Sequence, residues 1–206
     1  MTKTLQDKDL APPDIEAPFP AREATPPVLS DRLRELHLSL RHARNADTPF
    51  LLALFASFRA EEMARIPWPQ DRKDAFLADQ FRLQHHHFVS YFSGADFWIV
   101  ERSLPSAQDS PIGRFYIDRS TPLWRVIDIG FLPDARGQGL GSALLNWAQT
   151  QAADAGAAGI DLHVLVTNLR AEKLYRSLGF QAQGSAEGHH QRMEWRASPP
   201  LSAVLN

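Results

Sequence analysis

Ile129-Gly130-Phe131-Leu132-Pro133-Asp134-Ala135-Arg136-Gly137-Gln138-Gly139-Leu140-Gly141-Ser142 joins a β-like segment, Trp124 to Phe131, to an apolar helical pattern that opens near Leu140. Glycine stands at positions 137, 139 and 141, immediately ahead of that pattern. Such spacing strips side chains from a helix N-terminus. Bare backbone N–H groups then point outward with the positive end of the helix dipole behind them, an arrangement that binds a phosphate or pyrophosphate. The pattern is not a Rossmann fingerprint: after Gly137-x-Gly139 the decisive position holds Ser142, and after Gly139-x-Gly141 it holds Leu144, where glycine or alanine is needed. No G-x-x-x-x-G-K-S/T run occurs, which excludes a P-loop.

Upstream of the bend, Leu36, Leu38 and Leu40 alternate with polar residues and predict a first strand. Asp47-Thr48-Pro49 reads as a helix start, with Leu51, Leu54, Phe55 and Phe58 at helical spacing. Pro67-Trp68-Pro69 ends that helix, and a second runs from Asp71 to His87. Phe97 to Val100, Ile112 to Asp118 and Trp124 to Phe131 form a three-strand meander, with a polar turn from Ser103 to Ser110. Downstream, a helix from Leu140 to Ala153 precedes the alternating strand Ile160, Leu162, Val164, Val166. Ala171, Leu174, Tyr175 and Leu178 then mark a helix face at i, i+3, i+4 and i+7, with Gly179 placed to end it. Phe180 to Gln183 and Gln191 to Trp195 close the pattern as a hairpin. The order β-α-α-β-β-β-α-β-α-β-β predicts a mixed α/β (α+β) domain around a central, mostly antiparallel sheet flanked by helices.

The expected folded domain spans residues 34–197 of the 206. Residues 1–33, broken by Pro12, Pro13, Pro18, Pro20, Pro26 and Pro27, read as a disordered tail, and 198–206 as a short loose end. With 22 Lys plus Arg against 24 Asp plus Glu, nothing argues for bulk nucleic-acid affinity. The absence of cysteine removes disulfides, thiolate metal sites and a cysteine nucleophile. No apolar run approaches the roughly 18 residues of a membrane span, and no signal-peptide core opens the chain, so the expectation is a cytoplasmic protein without a membrane partner.

Arg136-Gly137-Gln138-Gly139-Leu140-Gly141 fits Gln or Arg, two residues, Gly, one residue, Gly or Ala, and a second block follows at Asn168, Ala171, Leu174-Tyr175 and Leu178-Gly179-Phe180. In these motifs, their spacing and its element order the chain resembles the GNAT superfamily of N-acetyltransferases. The likeness covers about Leu36 to Arg196 and is strongest from Trp124 to Phe180. It implies acetyl-CoA as co-substrate, no metal, and a sheet whose strand before the glycine bend splays from its neighbour to admit the pantetheine arm. The cofactor contacts implied are the backbone of Phe131, Leu132 and Pro133; Arg136, Gly137, Gln138, Gly139, Leu140, Gly141 and Ser142 around the pyrophosphate; and Asn168 beside the pantetheine. The resemblance further implies direct attack of a primary amine on the thioester in a ternary complex. A backbone N–H near Phe131 stabilises the oxyanion, and Tyr175 returns a proton to the departing thiolate. An ordinary tyrosine, with a pKa of about 10, is protonated at neutral pH and able to donate. Asp128, just before the splay point, is the candidate base, and a water chain is the alternative to it. The acceptor is a small-molecule or peptide amine, and the protein a monomer or homodimer.

Each reading has a plainer competitor. Tyr175 also suits a core aromatic on an apolar helix face, and Asp128 a carboxylate salt-bridged to Arg125 or Arg114. His85, His86 and His87 point about 100° apart on a helix and cannot converge on one ion. Arg59, Glu61, Glu62, Gln80 and Gln84 are polar candidates for an acceptor pocket, with packing the simpler role for any one of them. A non-catalytic acyl-CoA-binding sensor or interaction module shares the whole cofactor loop and differs only at the acid and base positions.

Overall fold

The computed structural model describes residues 17–21, 27–103 and 109–197. The expected loose ends at 1–16, 22–26 and 198–206, and most of the polar turn (104–108), lie outside the described residues. In chain order the elements are α1 (Asp31–Glu35), β1 (Leu38–His42), α2 (Thr48–Ala64), α3 (Gln70–Tyr91), β2 (Asp96–Arg102), β3 (Ser110–Asp118), β4 (Leu123–Phe131), α4 (Leu140–Asp154), β5 (Gly159–Leu165), α5 (Leu169–Ser177), β6 (Gln181–Ala182) and β7 (His190–Arg196). All eleven elements of the expected order are present. Helix α1 is an addition: Ser30 caps it by accepting from the Leu33 amide, and Leu33 is fully buried. Leu36 closes α1 and His37 turns the chain at φ 56°, so the first strand starts at Leu38 rather than Leu36.

The seven strands form one sheet in the order β1-β2-β3-β4-β5-β7-β6. Every neighbouring pair is antiparallel except β4 and β5. Period-2 alternation gives the sheet two apolar faces. One packs Trp98, Phe115, Trp124, Ile160 and Met193 under α1 and α4, whose Leu144 and Leu145 are fully buried. The other packs Phe97, Ile99 and Tyr116 under α2 and α3 through Leu51, Phe55 and Phe81.

Two irregularities coincide on β4. Tyr116 pairs with Asp128 and Ile117 with Val126, so Ile127 is an extra residue, a β-bulge. On the other side of β4, pairing with β5 runs from Leu123↔Gly159 to Val126↔Leu162 and stops, although both strands continue. From Ile127 onward the two strands diverge and leave a wedge-shaped gap.

The chain ahead of residue 34 contributes to the domain. Phe19 is buried in a socket of His85, Phe97 and Tyr116 rings. Its amide donates to Asn45 Oδ1 at 3.0 Å, and His85 Nε2 lies 2.8 Å from the Ala17 carbonyl. Trp147 Nε1 donates to the Val28 carbonyl at 3.0 Å. The described part of the expected tail therefore packs on both faces: residues 17–21 form a strap on the α2–α3 face, and the chain from Pro27 runs along α4 on the other. Phe19→Ala should lower stability by about 3 kcal/mol, the usual scale for emptying a buried phenylalanine site, measured by denaturant unfolding. An effect under about 0.5 kcal/mol would mean that the strap does not hold the domain together.

Candidate active site

The gap is lined by backbone. The Leu132 amide donates to the Ile112 carbonyl of β3 at 2.8 Å. Strand alternation therefore turns the N–H and C=O of Phe131 and of Ile129 away from β3, into the gap. The Phe131 carbonyl accepts Arg136 Nε at 2.8 Å, which leaves its N–H as the free donor. Leu132 and Pro133 offer less: their carbonyls accept the Ala135 and Arg136 amides at 3.0 and 3.1 Å in a short 3-10 turn. Of the three positions expected to meet the pantetheine arm, only Phe131 directs a polar backbone group into the gap.

Gly137 and Gly139 both have positive φ, 77° and 76°, a region glycine enters without strain. Among the described residues no protein acceptor takes the amides of 137 to 142. The first amide of the turn to be satisfied is that of Ala143, on the Gly139 carbonyl at 3.0 Å. Gly139 is exposed, and a Cβ placed on it would have no neighbour within 4 Å, so open space lies over the bare helix N-terminus. Gly141 is different: a Cβ there meets Leu174 at an ordinary 3.6 Å, which fits a motif position that accepts alanine.

Beside the glycine loop stand Arg102, Arg136 and Arg170, none of them ion-paired with a carboxylate among the described residues. Arg102 donates to Gln138 Oε1 at 2.9 Å, and Gln138 Nε2 donates to the Asp134 carbonyl at 2.6 Å. Arg136 also donates to Ser57 Oγ of α2 at 2.7 Å. Burial, with help from the charge of Arg170, lowers the Arg136 pKa. A Cβ on Gly137 would sit 3.5 Å from Arg170 Nη2. The sequence reading did not single out Arg102 or Arg170. Arg170 carried a signal, because a cation in the first turn of a helix opposes the dipole and needs another reason to be there. Arg102 carried none, since only the fold brings the end of β2 to the loop.

Tyr175 and Asp128 approach the gap from different elements. Tyr175 of α5 is buried, and its phenol is pushed up to about 12, by burial first and then by the negative charge of Asp128. Asp128 follows the bulge and faces α2 and α3 with Tyr116 and Gly130. It is salt-bridged to Arg114, not Arg125, which instead forms a double hydrogen bond with the buried Asp161 at 2.8 and 2.7 Å. Arg114 is itself buried and donates to Gln84 Oε1 of α3 at 3.0 Å. Among the described residues Arg114 Nε and the Tyr116 hydroxyl beside it have no hydrogen bond of good geometry, although the Arg114 guanidinium lies close to that hydroxyl, and burial raises the Tyr116 phenol. Asn168 is exposed, and its Oδ1 accepts the Ala171 amide at 3.1 Å, which makes it the N-cap of the helix that carries Tyr175. Of the consecutive histidines, His85 turns inward while His86 and His87 are exposed.

The β4–β5 ladder that stops short and the glycine loop with free amides ahead of α4 together make a mixed α/β domain suited to an extended, anionic ligand. A profile of the acetyltransferase (GNAT) family matches residues 55–180, more than half of the chain, and the chain belongs to that family. It is 41% identical over 81 residues to a thialysine N-epsilon-acetyltransferase of Bos taurus, a match covering 38% of this chain and 48% of that protein. It is 25% identical over 142 residues to an aminoalkylphosphonate N-acetyltransferase of Salmonella typhimurium, covering 69% of this chain and 84% of that one. Among solved structures, spermidine N-acetyltransferase from Vibrio cholerae in complex with CoA and spermine superposes with a TM-score of 0.53 at 22% identity, over 82% of this chain and 99% of that one. No helix among the described residues is long and apolar enough to cross a membrane.

Gly139→Asp tests the loop as an anion site. Its Cβ has space, so the left-handed backbone is the main penalty, about 1 kcal/mol of stability. Coenzyme A affinity by calorimetry should fall at least about tenfold, the equivalent of roughly 1.4 kcal/mol. Unchanged affinity would remove the diphosphate from this loop.

Proposed function

We propose that the protein is an N-acetyltransferase that passes the acetyl group of acetyl-CoA to a primary amine by direct attack in a ternary complex. The observation that carries this reading is the meeting of the β4–β5 gap with the uncapped amides of residues 138 to 142. The diphosphate sits on those amides, with Arg102, Arg136 and Arg170 adding positive charge, and the pantetheine arm lies along β4 with Asn168 at its side. The Phe131 N–H points at the thioester oxygen and stabilises the charge that develops on it. As the amine nitrogen attacks, a C–N bond forms and the C–S bond breaks. The thiolate takes a proton from the Tyr175 phenol, and the amine proton passes to Asp128, directly or through water. Relatives named for thialysine and for aminoalkylphosphonates support an amine acceptor. The compartment is the cytoplasm, in keeping with a chain that holds no cysteine.

A second reading, an acyl-CoA-binding module without turnover, draws on one observation: Asp128 is already engaged by Arg114. Turnover of acetyl-CoA across a panel of amines decides between them. In Tyr175→Phe, kcat should drop about 100-fold or more while coenzyme A affinity holds. Equal kcat in variant and wild type would dismiss Tyr175 as the acid. The pH profile adds a separate check. Because the Tyr175 phenol is pushed up to about 12, its proton is retained across the neutral and mildly alkaline range. The rate should therefore climb as the acceptor ammonium deprotonates and show no descending limb before pH approaches 12. A limb near 10, the ordinary tyrosine value, would contradict this.

A further inference from the structure

Resting on the donor site proposed above, we infer that Phe58 sets the length of acyl chain the protein accepts. Phe58 is on α2, yet the residue is 42% exposed, whereas Phe55 one turn earlier is buried. The ring tip lies over Gly130 of β4, so close that a Cβ on Gly130 would clash with it. Two guanidinium groups hold the ring there: Arg136 with its Cζ 5.1 Å from the ring centroid, and Arg114 at 5.9 Å. Ser57, the preceding residue, is tied to Arg136 at 2.7 Å, which fixes that turn of α2 against the glycine loop.

Gly130 is the neighbour of Phe131, whose N–H donates to the thioester oxygen in the proposed reaction. The acyl carbon beyond that carbonyl has two faces of β4 available to it. One is filled by the buried Phe131 side chain with Leu140 and Tyr175. The other is the face of Asp128 and Gly130, from which the amine arrives. There the Phe58 ring fills the space that a side chain on Gly130 would need, so ring and strand touch and the ring walls off that face. An acetyl methyl stops short of the ring; a chain two methylenes longer runs into it. An aromatic kept half in water gains little from burial, so core packing alone explains its position poorly.

Acetyl-, propionyl- and butyryl-CoA are compared on the full chain, the wild type against Phe58→Ala and Phe58→Leu, by calorimetric Kd and by kcat/KM with one fixed amine. The wild type should disfavour butyryl-CoA relative to acetyl-CoA by about tenfold or more, the discrimination that one or two methylenes give against a filled pocket. Phe58→Ala should bring the two within about threefold, with Phe58→Leu in between. A ratio taken within each variant is insensitive to a general loss of folded protein. An unchanged ratio in both variants overturns the inference, as does a change confined to the KM of the amine, which would assign the ring to the acceptor pocket. Wild-type binding of acyl-CoA without turnover refutes the transfer reaction but leaves the Kd ratios to decide the role of Phe58. No binding of any acyl-CoA overturns both.

Discussion

One extra residue in β4 organises the site. Ile127 has no partner on β3, and the bulge it makes falls where hydrogen bonding to β5 ends. Had the parallel ladder continued, the amides of Ile129 and Phe131 would have been satisfied by β5 and the sheet would be closed. Because it stops, polar backbone is left facing a wedge, and an unsatisfied strand edge favours whatever extended group can pair with it. The same bulge bends β4 so that Asp128 follows it on the face that looks toward α2 and α3. The gap, the inward-turned Phe131 amide and the placement of the Asp128 carboxylate thus descend from a single local irregularity in one ladder.

Electrostatics divide the site into two halves. Around the glycine loop the guanidinium groups of Arg102, Arg136 and Arg170 add to the helix dipole, and Arg136 already feels the like charge of Arg170. That half is built for an anion. On the face toward α2 and α3, Arg114 and Asp128 neutralise each other, and Gln84 accepts a further hydrogen bond from the guanidinium. A buried pair of this kind is weak evidence for stability, because desolvation offsets much of the attraction. Its firmer consequence is geometric: it holds the Asp128 carboxylate in place beside the gap.

Much of this was legible because it is local. Positive-φ glycines at a helix start, the i, i+3, i+4, i+7 face of α5 and the alternation Ile160, Leu162, Val164 each lie within a few residues of chain. What escaped detection depends on pairing across distance. The bulge at Ile127 exists only relative to β3. The partner of Asp128 stayed open between Arg114 and Arg125 until the parallel register set Arg125 opposite Asp161. Helix α1, at five residues, is too short to show a period. Leu36 joined the apparent alternation of β1, and only the left-handed turn at His37 separates it from the strand. Ser57, Phe58 and Arg136 meet across 79 residues of sequence, a separation no spacing rule spans.

The strap bearing Phe19 also bears on how the protein is handled. A fragment trimmed to the first regular element, at Asp31, would strip the cover from three aromatic rings and leave the buried imidazole of His85 without the carbonyl it bonds. Truncations for expression should therefore begin ahead of Ala17.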